Sequence, residues 1–331
     1  MSGGGSGGVP PEVEVSQESL DQVWQSIREN LLTPKGNHHP PAGRAPRVAF
    51  VAGQPASGKS SIEDYVKRDL ELDNPVQIDA DALRELHPAY DEWAKKDTLT
   101  AAARTQEVVG DWVDKAIAYV TGPNQRFDAV VSATLKNPDK ARAKIKPFHD
   151  RHYDVFVAFT AVDRINSSLA IVKRYLKGNR PGRWARYVPL DVHELACEGV
   201  LQTARQIDQK EFGDINVRVY RKIGPGPQME LVYKNSLDGD SWLEEGGRAL
   251  TEETIVRERR SYWDRNIDGF RAVAGPLLVR DPLHDTVRRH VAQTMCDFLD
   301  EPSVCLINLP HLVDRAPSVG PGVLSVVQTT K

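Results

Sequence analysis

Apolar residues recur at three- and four-residue intervals through Leu20, Val23, Trp24, Ile27 and Leu31, which predicts an amphipathic helix that stops before Pro34. A connector rich in Pro, Gly and His follows over residues 35–46. Its tandem His38-His39 has no spaced third ligand and reads as a solvated turn rather than a metal site. From Arg47 the pattern changes. Short apolar runs at 48–52, 76–78, 129–131, 155–159 and 217–220 alternate with amphipathic stretches at 60–70, 101–120, 139–150, 167–176 and 190–209. Residues 231–233 supply a hairpin partner for the last run. Strand and helix alternating in this way define an α/β fold, a mostly parallel sheet flanked by helices.

Beyond Asn235 the alternation stops. Residues 252–270 and 285–299 keep a helical period, whereas 304–331 has several Pro and Gly residues and no clear period. The expected organisation is a flexible Gly/Ser-rich leader over 1–12, a helix and connector over 13–46, the α/β domain over 47–235, and a helical to irregular extension over 236–331. The extension is read as covering a sheet edge or meeting a partner, and no chemistry is assigned to it.

The first strand runs directly into Gly53-Gln54-Pro55-Ala56-Ser57-Gly58-Lys59-Ser60-Ser61, which fits GxxxxGK[ST] between a strand and a helix. Backbone N–H groups of such a P-loop point at the β-phosphate of a nucleoside triphosphate, and the helix that follows adds its positive dipole end. Lys59 is expected to reach the β- and γ-phosphates, and the Ser60 hydroxyl to ligate magnesium. A P-loop does not by itself separate kinases from switches, motors or transporters.

Two further features bear on that choice. The second strand ends in Asp79-Ala80-Asp81, so two carboxylates leave the sheet on the side that carries the loop. One is able to act as general base toward a substrate hydroxyl, or either one caps the next helix. Lys173-Arg174, Arg180, Arg183 and Arg186 form the densest arginine group in the chain. They are either a cationic lid over a transferring phosphoryl group or a solvated basic face.

The ordered set GQPASGKS, IDADALRELHPAY, VVSATLKNP, INSSLAIVKRY and ARYVPLDVHE resembles the zeta toxin family, the kinase component of bacterial toxin–antitoxin systems, over about residues 45–235. The resemblance implies phosphorylation of the 3′-hydroxyl on the amino sugar of UDP-N-acetylglucosamine, with ATP and magnesium. It assigns Lys59 and Ser60 to phosphates and metal, Asp81 to the catalytic base, and Arg174 and Arg186 to the transferring phosphoryl group. Asp79, Thr134 and Asp114 join Asp81 on the substrate side, and an antitoxin protein becomes an expected partner. Two positions depart from the family. Ser132-Ala133-Thr134 stands where Glu-Gly-Thr is common, and Lys115 or Asp114 stands where a substrate-contacting Glu is expected. A kinase for another hydroxyl acceptor, such as a nucleic-acid end, an antibiotic or a metabolite, therefore stays open. So does a nucleotide-binding interaction module with weakened catalysis.

Composition narrows the partners. The formal net charge of −3 over 331 residues gives no global attraction to nucleic acid or to an anionic membrane. Cys197, Cys296 and Cys305 are too few and too far apart for a disulfide framework or zinc site, and read as reduced and buried. The leader lacks the basic and apolar regions of a signal peptide, and no apolar run reaches membrane-spanning length. A cytoplasmic protein is expected.

Overall fold

The computed structural model describes residues 14–33, 38–178, 185–223, 228–235, 251–259, 286, 289, 290, 293 and 294. Six strands form one sheet: β1 (Arg47–Ala52), β2 (Val76–Asp79), β3 (Ala129–Ala133), β4 (Asp154–Ala161), β5 (Asn216–Lys222) and β6 (Met229–Lys234). Their spatial order is β2-β3-β1-β4-β5-β6. The first five are mutually parallel and β6 closes the edge antiparallel to β5.

The central strands are covered on both faces, which is why β1 and β4 read as nearly unbroken apolar runs. One face carries Val48, Phe50 and Val131 and packs against α6 (Gln106–Val120), α7 (Pro138–His149) and α9 (Leu190–Asp208) through Trp112, Ile145, Phe148 and Val200. The other carries Ala49, Val51 and Val130 and packs against Ile62, Val66 and Leu70 of the α2 side; α2 is Lys59–Asp69. Register aligns the carboxyl ends of the strands, pairing Asp79 with Ser132, Ala52 with Ala133, and Ala52 with Phe159. Ligands of such sheets bind beyond that edge.

Several elements differ from expectation, each for a local reason. The first helix, α1 (Gln17–Ile27), begins earlier because Ser16 caps it, its Oγ accepting from Ser19 N at 3.2 Å. The stretch expected as one helix over 101–120 is two, α5 (Ala101–Arg104) and α6, broken at Thr105. The buried Thr105 hydroxyl turns back to donate to Ala102 O at 3.2 Å and Ala101 O at 3.5 Å, competing with helix continuation. Two short helices, α3 (Ala80–Glu85) and α4 (Tyr90–Lys96), fill the interval after β2. α8 (Arg164–Gly178) starts earlier than expected because Asp163 Oδ1 accepts from Ile165 N at 3.0 Å and Asn166 N at 2.9 Å. The His38-His39 turn is not a solvated one: His38 is buried, meets Asn74 O at 2.6 Å, and packs edge-on against Phe127.

Past β6, residues 251–259 form a helix, α10, which starts one residue before the stretch expected over 252–270. The leader over 1–12, Arg180, Arg183, residues 260–270, most of 285–299, Cys296, Cys305 and 304–331 lie outside the described residues. Cys197 is buried and free. No described helix is long and apolar enough to cross a membrane.

Candidate active site

The loop between β1 and α2 is held by its own sequence. Gly53 and Gly58 both have positive φ, at 154° and 86°. A Cβ on Gly53 would collide with Thr160 Oγ1 and Ser57 Oγ, which are themselves joined at 2.6 Å, so this position takes no side chain. Gly58 enters the helix in the left-handed conformation and leaves the first N–H groups of α2 without a side-chain cap. Gln54 is fully buried and ties the loop to the neighbouring strand, its Nε2 donating to Val162 O at 2.6 Å and Ser167 Oγ at 3.2 Å. Lys59 folds back over the loop, its Nζ donating to Gly53 O at 3.1 Å and Gln54 O at 3.3 Å.

The charges that β2, α8 and the approach to α9 bring to this loop act on one another. Burial lowers the Lys59 pKa to about 8, with Arg174 and Arg186 pushing the same way and Asp81 and Asp79 opposing. Asp81 receives an Nη1 hydrogen bond from Arg186, and Arg84 Nη1 stands 3.8 Å from the same carboxylate oxygen. Burial raises the Asp81 carboxyl, but Arg186, Arg84, Arg174 and Lys59 outweigh it and the net shift is downward. Arg174 has its own affinity for a proton lowered by burial, while Asp81 supports its charge. It makes no ion pair among the described residues. Arg186 Nε is buried without an acceptor among them.

The capping reading of the aspartate pair is met by one of the two. Asp79 is the helix cap: its Oδ1 accepts from Asp81 N at 2.8 Å and starts α3. That leaves the Asp81 side chain, 46% exposed, turned toward the cations. Arg174 and Arg186 lie among the charges acting on Lys59.

Ser60 is exposed in the first turn of α2, and Glu63 stands three residues on along the same helix face. Burial raises the carboxyl pKa of Glu63 and Asp79 adds to the rise, with Lys67 and then Ser132 opposing it. Burial also raises that of Asp79, and Asp81 adds to it. Thus the carboxylate absent at Ser132 has a neighbour on the facing helix. No group of three or more His, Cys, Asp or Glu able to hold a metal occurs among the described residues.

Asp114 is not brought to this cluster. It lies on an exposed face of α6 and pairs with Lys144 of α7. Lys115 instead stands over the Trp24 ring, 5.9 Å from its centroid. Thr134 is half-buried just beyond the end of β3, on the loop side of the sheet. Sequence reasoning passed over Arg84, Glu63 and Gln106. Arg84 is only 2% exposed and held by Gln106 Oε1 at 3.0 Å. Its signal was the i, i+3 spacing from Asp81, and that of Glu63 the i, i+4 spacing from Lys59.

Comparison with known proteins places the sequence and the fold. The sequence profile of the family described as Zeta toxin matches residues 30–235. No curated protein sequence matches significantly. A solved structure of the PezAT chromosomal toxin–antitoxin system of Streptococcus pneumoniae superposes with a TM-score of 0.62 at 15% identity, covering 81% of this chain and 99% of that one. AvrRxo1-ORF1:AvrRxo1-ORF2 with sulphate ions gives 0.49 at 14% identity over 83% and 84% of the two chains. The profile match takes in the loop, the aspartate pair, both arginines and every strand of the sheet, well over half of the sequence. The chain belongs to the zeta toxin family of P-loop kinases.

Proposed function

We propose that the chain is an ATP- and magnesium-dependent kinase that phosphorylates the 3′-hydroxyl of the amino sugar of UDP-N-acetylglucosamine or a related sugar nucleotide. One observation carries this reading: Lys59, Asp81, Arg174 and Arg186, drawn from three separate stretches of sequence, act on one another at the mouth of the Gly53–Ser60 loop. The loop N–H groups and the α2 terminus would hold the β-phosphate. Lys59, already aimed along the loop, and the spare donor of Arg186 would meet the γ-phosphoryl oxygens. Asp81 would accept the proton of the acceptor hydroxyl, and its lowered pKa keeps it ionised for that purpose near neutrality.

The oxygen donors suit magnesium. Ser60 would offer a hard oxygen ligand, with Glu63 one turn on along α2 and Asp79 within reach of the Glu63 carboxyl, a set that suits an ion that also binds substrate phosphates. When bound it would neutralise charge on the phosphate oxygens. An antitoxin partner is part of the proposal, by analogy with the toxin–antitoxin system of the pneumococcal structure.

The acceptor follows less directly, and a second reading has its own motive. Ser132 is neutral and Asp114 is engaged with Lys144, so two carboxylates expected on the substrate side are not there. A different hydroxyl acceptor would account for both. Transfer from labelled ATP to a panel of UDP-sugars, nucleosides and nucleic-acid ends decides between them. Labelled UDP-N-acetylglucosamine supports the first reading, a non-uridine product the second, and no product with any acceptor while ATP still binds contradicts both.

A further inference from the structure

The helix beyond the sheet reaches the nucleotide loop. α10 lies antiparallel to α9: Asp208, at the end of α9, accepts from Thr251 N at 3.0 Å and Glu252 N at 3.1 Å, and Arg205 clasps Glu252 at 2.8 and 2.6 Å. Ile255 is fully buried in the main core, and Glu258 is held by Arg221 at 3.1 Å. This docking carries Arg259 past Cys197, whose carbonyl accepts from Nη1 at 3.4 Å, to the back of the loop. There Arg259 Nη2 donates to Gln54 Oε1 at 2.9 Å. The same glutamine's backbone carbonyl accepts from Lys59 and from Ser57 N, the latter at 3.2 Å. Among the described residues Arg259 has no carboxylate partner, although burial opposes its charge. A cation kept in such a place without an ion pair is better explained by what it holds than by its own stability.

A second contact from the same extension meets the residue next to Arg186. His290 is 3% exposed; its Nε2 pairs with Ser168 Oγ at 2.6 Å and its Nδ1 with Tyr187 OH at 2.8 Å. Tyr187 follows Arg186, and it packs edge-on against Tyr175, which follows Arg174, with centroids 5.3 Å apart. Ser168 follows Ser167, the residue that anchors Gln54. Both contacts come from outside the segment that matches the family profile.

We infer that the extension positions the reaction site: Arg259, through Gln54, sets the nucleotide loop, and His290, through Tyr187, sets the arginine pair. Neither touches the reacting atoms. This inference rests on the proposed reading in taking the loop as the ATP site and, for His290, in taking Arg174 and Arg186 as the arginines of transfer.

The test uses the full chain and measures ATP affinity by calorimetry, with no acceptor required. Arg259→Met is expected to weaken ATP binding roughly tenfold, as loss of a charge-assisted hydrogen bond does. Arg259→Lys, which keeps the charge, should fall between, and remains informative if Arg259→Met does not fold. Gln54→Leu should weaken binding similarly, and Arg259→Met added to it should cost nothing more. ATP affinity unchanged in Arg259→Met and Arg259→Lys, or losses that add in the double variant, would overturn the inference for the loop. For the second contact, His290→Leu should lower kcat for transfer several-fold with KM for ATP unchanged, and His290→Gln should restore most of it. Equal kcat in all three proteins would overturn that half. Wild type that binds ATP but labels no acceptor sinks the kinase reading and the His290 half with it, while the affinity series still decides the loop. Wild type that binds no ATP sinks both.

Discussion

Arg186 donates from Nη1 to Asp81 Oδ1 across 105 positions of sequence, joining the approach to α9 to the first turn of α3. After burial, Arg186 is the strongest influence on the Asp81 carboxyl and holds it down. Removing the guanidinium therefore has two readable effects. Arg186→Ala should slow phosphoryl transfer by about a thousandfold, the lower range for loss of an arginine that meets the transferring group. It should also let the Asp81 pKa rise, moving the acid limb of the kcat–pH profile to higher pH. A slower enzyme with an unmoved acid limb would mean that the pair is not maintained during turnover.

Lys59 is destabilising before ATP arrives. Its ammonium is buried, and its pKa of about 8 lies below the value of 10.5 in an unfolded chain. Below about pH 8 the native state carries the full cost of that charge, which is relieved as pH rises toward 10.5. Lys59→Met should thus raise Tm at pH 7 while abolishing ATP binding. A lower Tm would show that the bonds to Gly53 O and Gln54 O outweigh the burial.

The same depressed value predicts a proton linkage. The triphosphate supplies the negative charge that the free site lacks, so ATP should raise the Lys59 pKa and draw in a proton near pH 8.5, but not at pH 6.5 where the amine is already charged. Calorimetry in buffers of different ionisation enthalpy measures this. Equal uptake at both pH values, or none at either, would contradict it.

His193 sets an acid limit. It is buried against Ser167 at 2.8 Å, and burial, helped by His290, Arg259 and Arg164, lowers its pKa to about 3. Between pH 6.5 and about 3 the unfolded chain binds a proton that the native state refuses, so stability falls as pH drops through that window and is unaffected above it. His193→Gln should flatten the fall by up to about 1.4 kcal/mol per pH unit. Chemical denaturation at pH 7, 5.5 and 4.5 gives the slope, and an unchanged slope would refute the assignment.

What could be read from sequence was what local chemistry determines. The β1–loop–α2 unit is legible because glycines at fixed spacing, a buried strand and a helix start occur within fifteen or so residues. The strand end offers Asp79 and Asp81 and the arginine group offers Arg174 and Arg186, but their roles come from the resemblance, since no local pattern says that residues 105 positions apart will meet. The break at Thr105 escaped because periodicity continues across it while a single buried hydroxyl does not. Asp114 and Lys115 stand where the resemblance expects a substrate-contacting Glu, but α6 directs them toward Lys144 and Trp24. Arg259 and His290 carried no signal at all: their partners, Gln54 and Tyr187, lie 205 and 103 positions away. Only folding brings the extension to the loop.

The most direct test is transfer of the γ-phosphoryl group from labelled ATP to UDP-N-acetylglucosamine by wild type and Asp81→Asn, with ATP affinity measured on both. The account predicts labelled sugar nucleotide from wild type, a rate lower by about 10² to 10⁴ in Asp81→Asn, and ATP bound at least as tightly once a negative charge beside the phosphates is gone. Transfer by Asp81→Asn at the wild-type rate would contradict it.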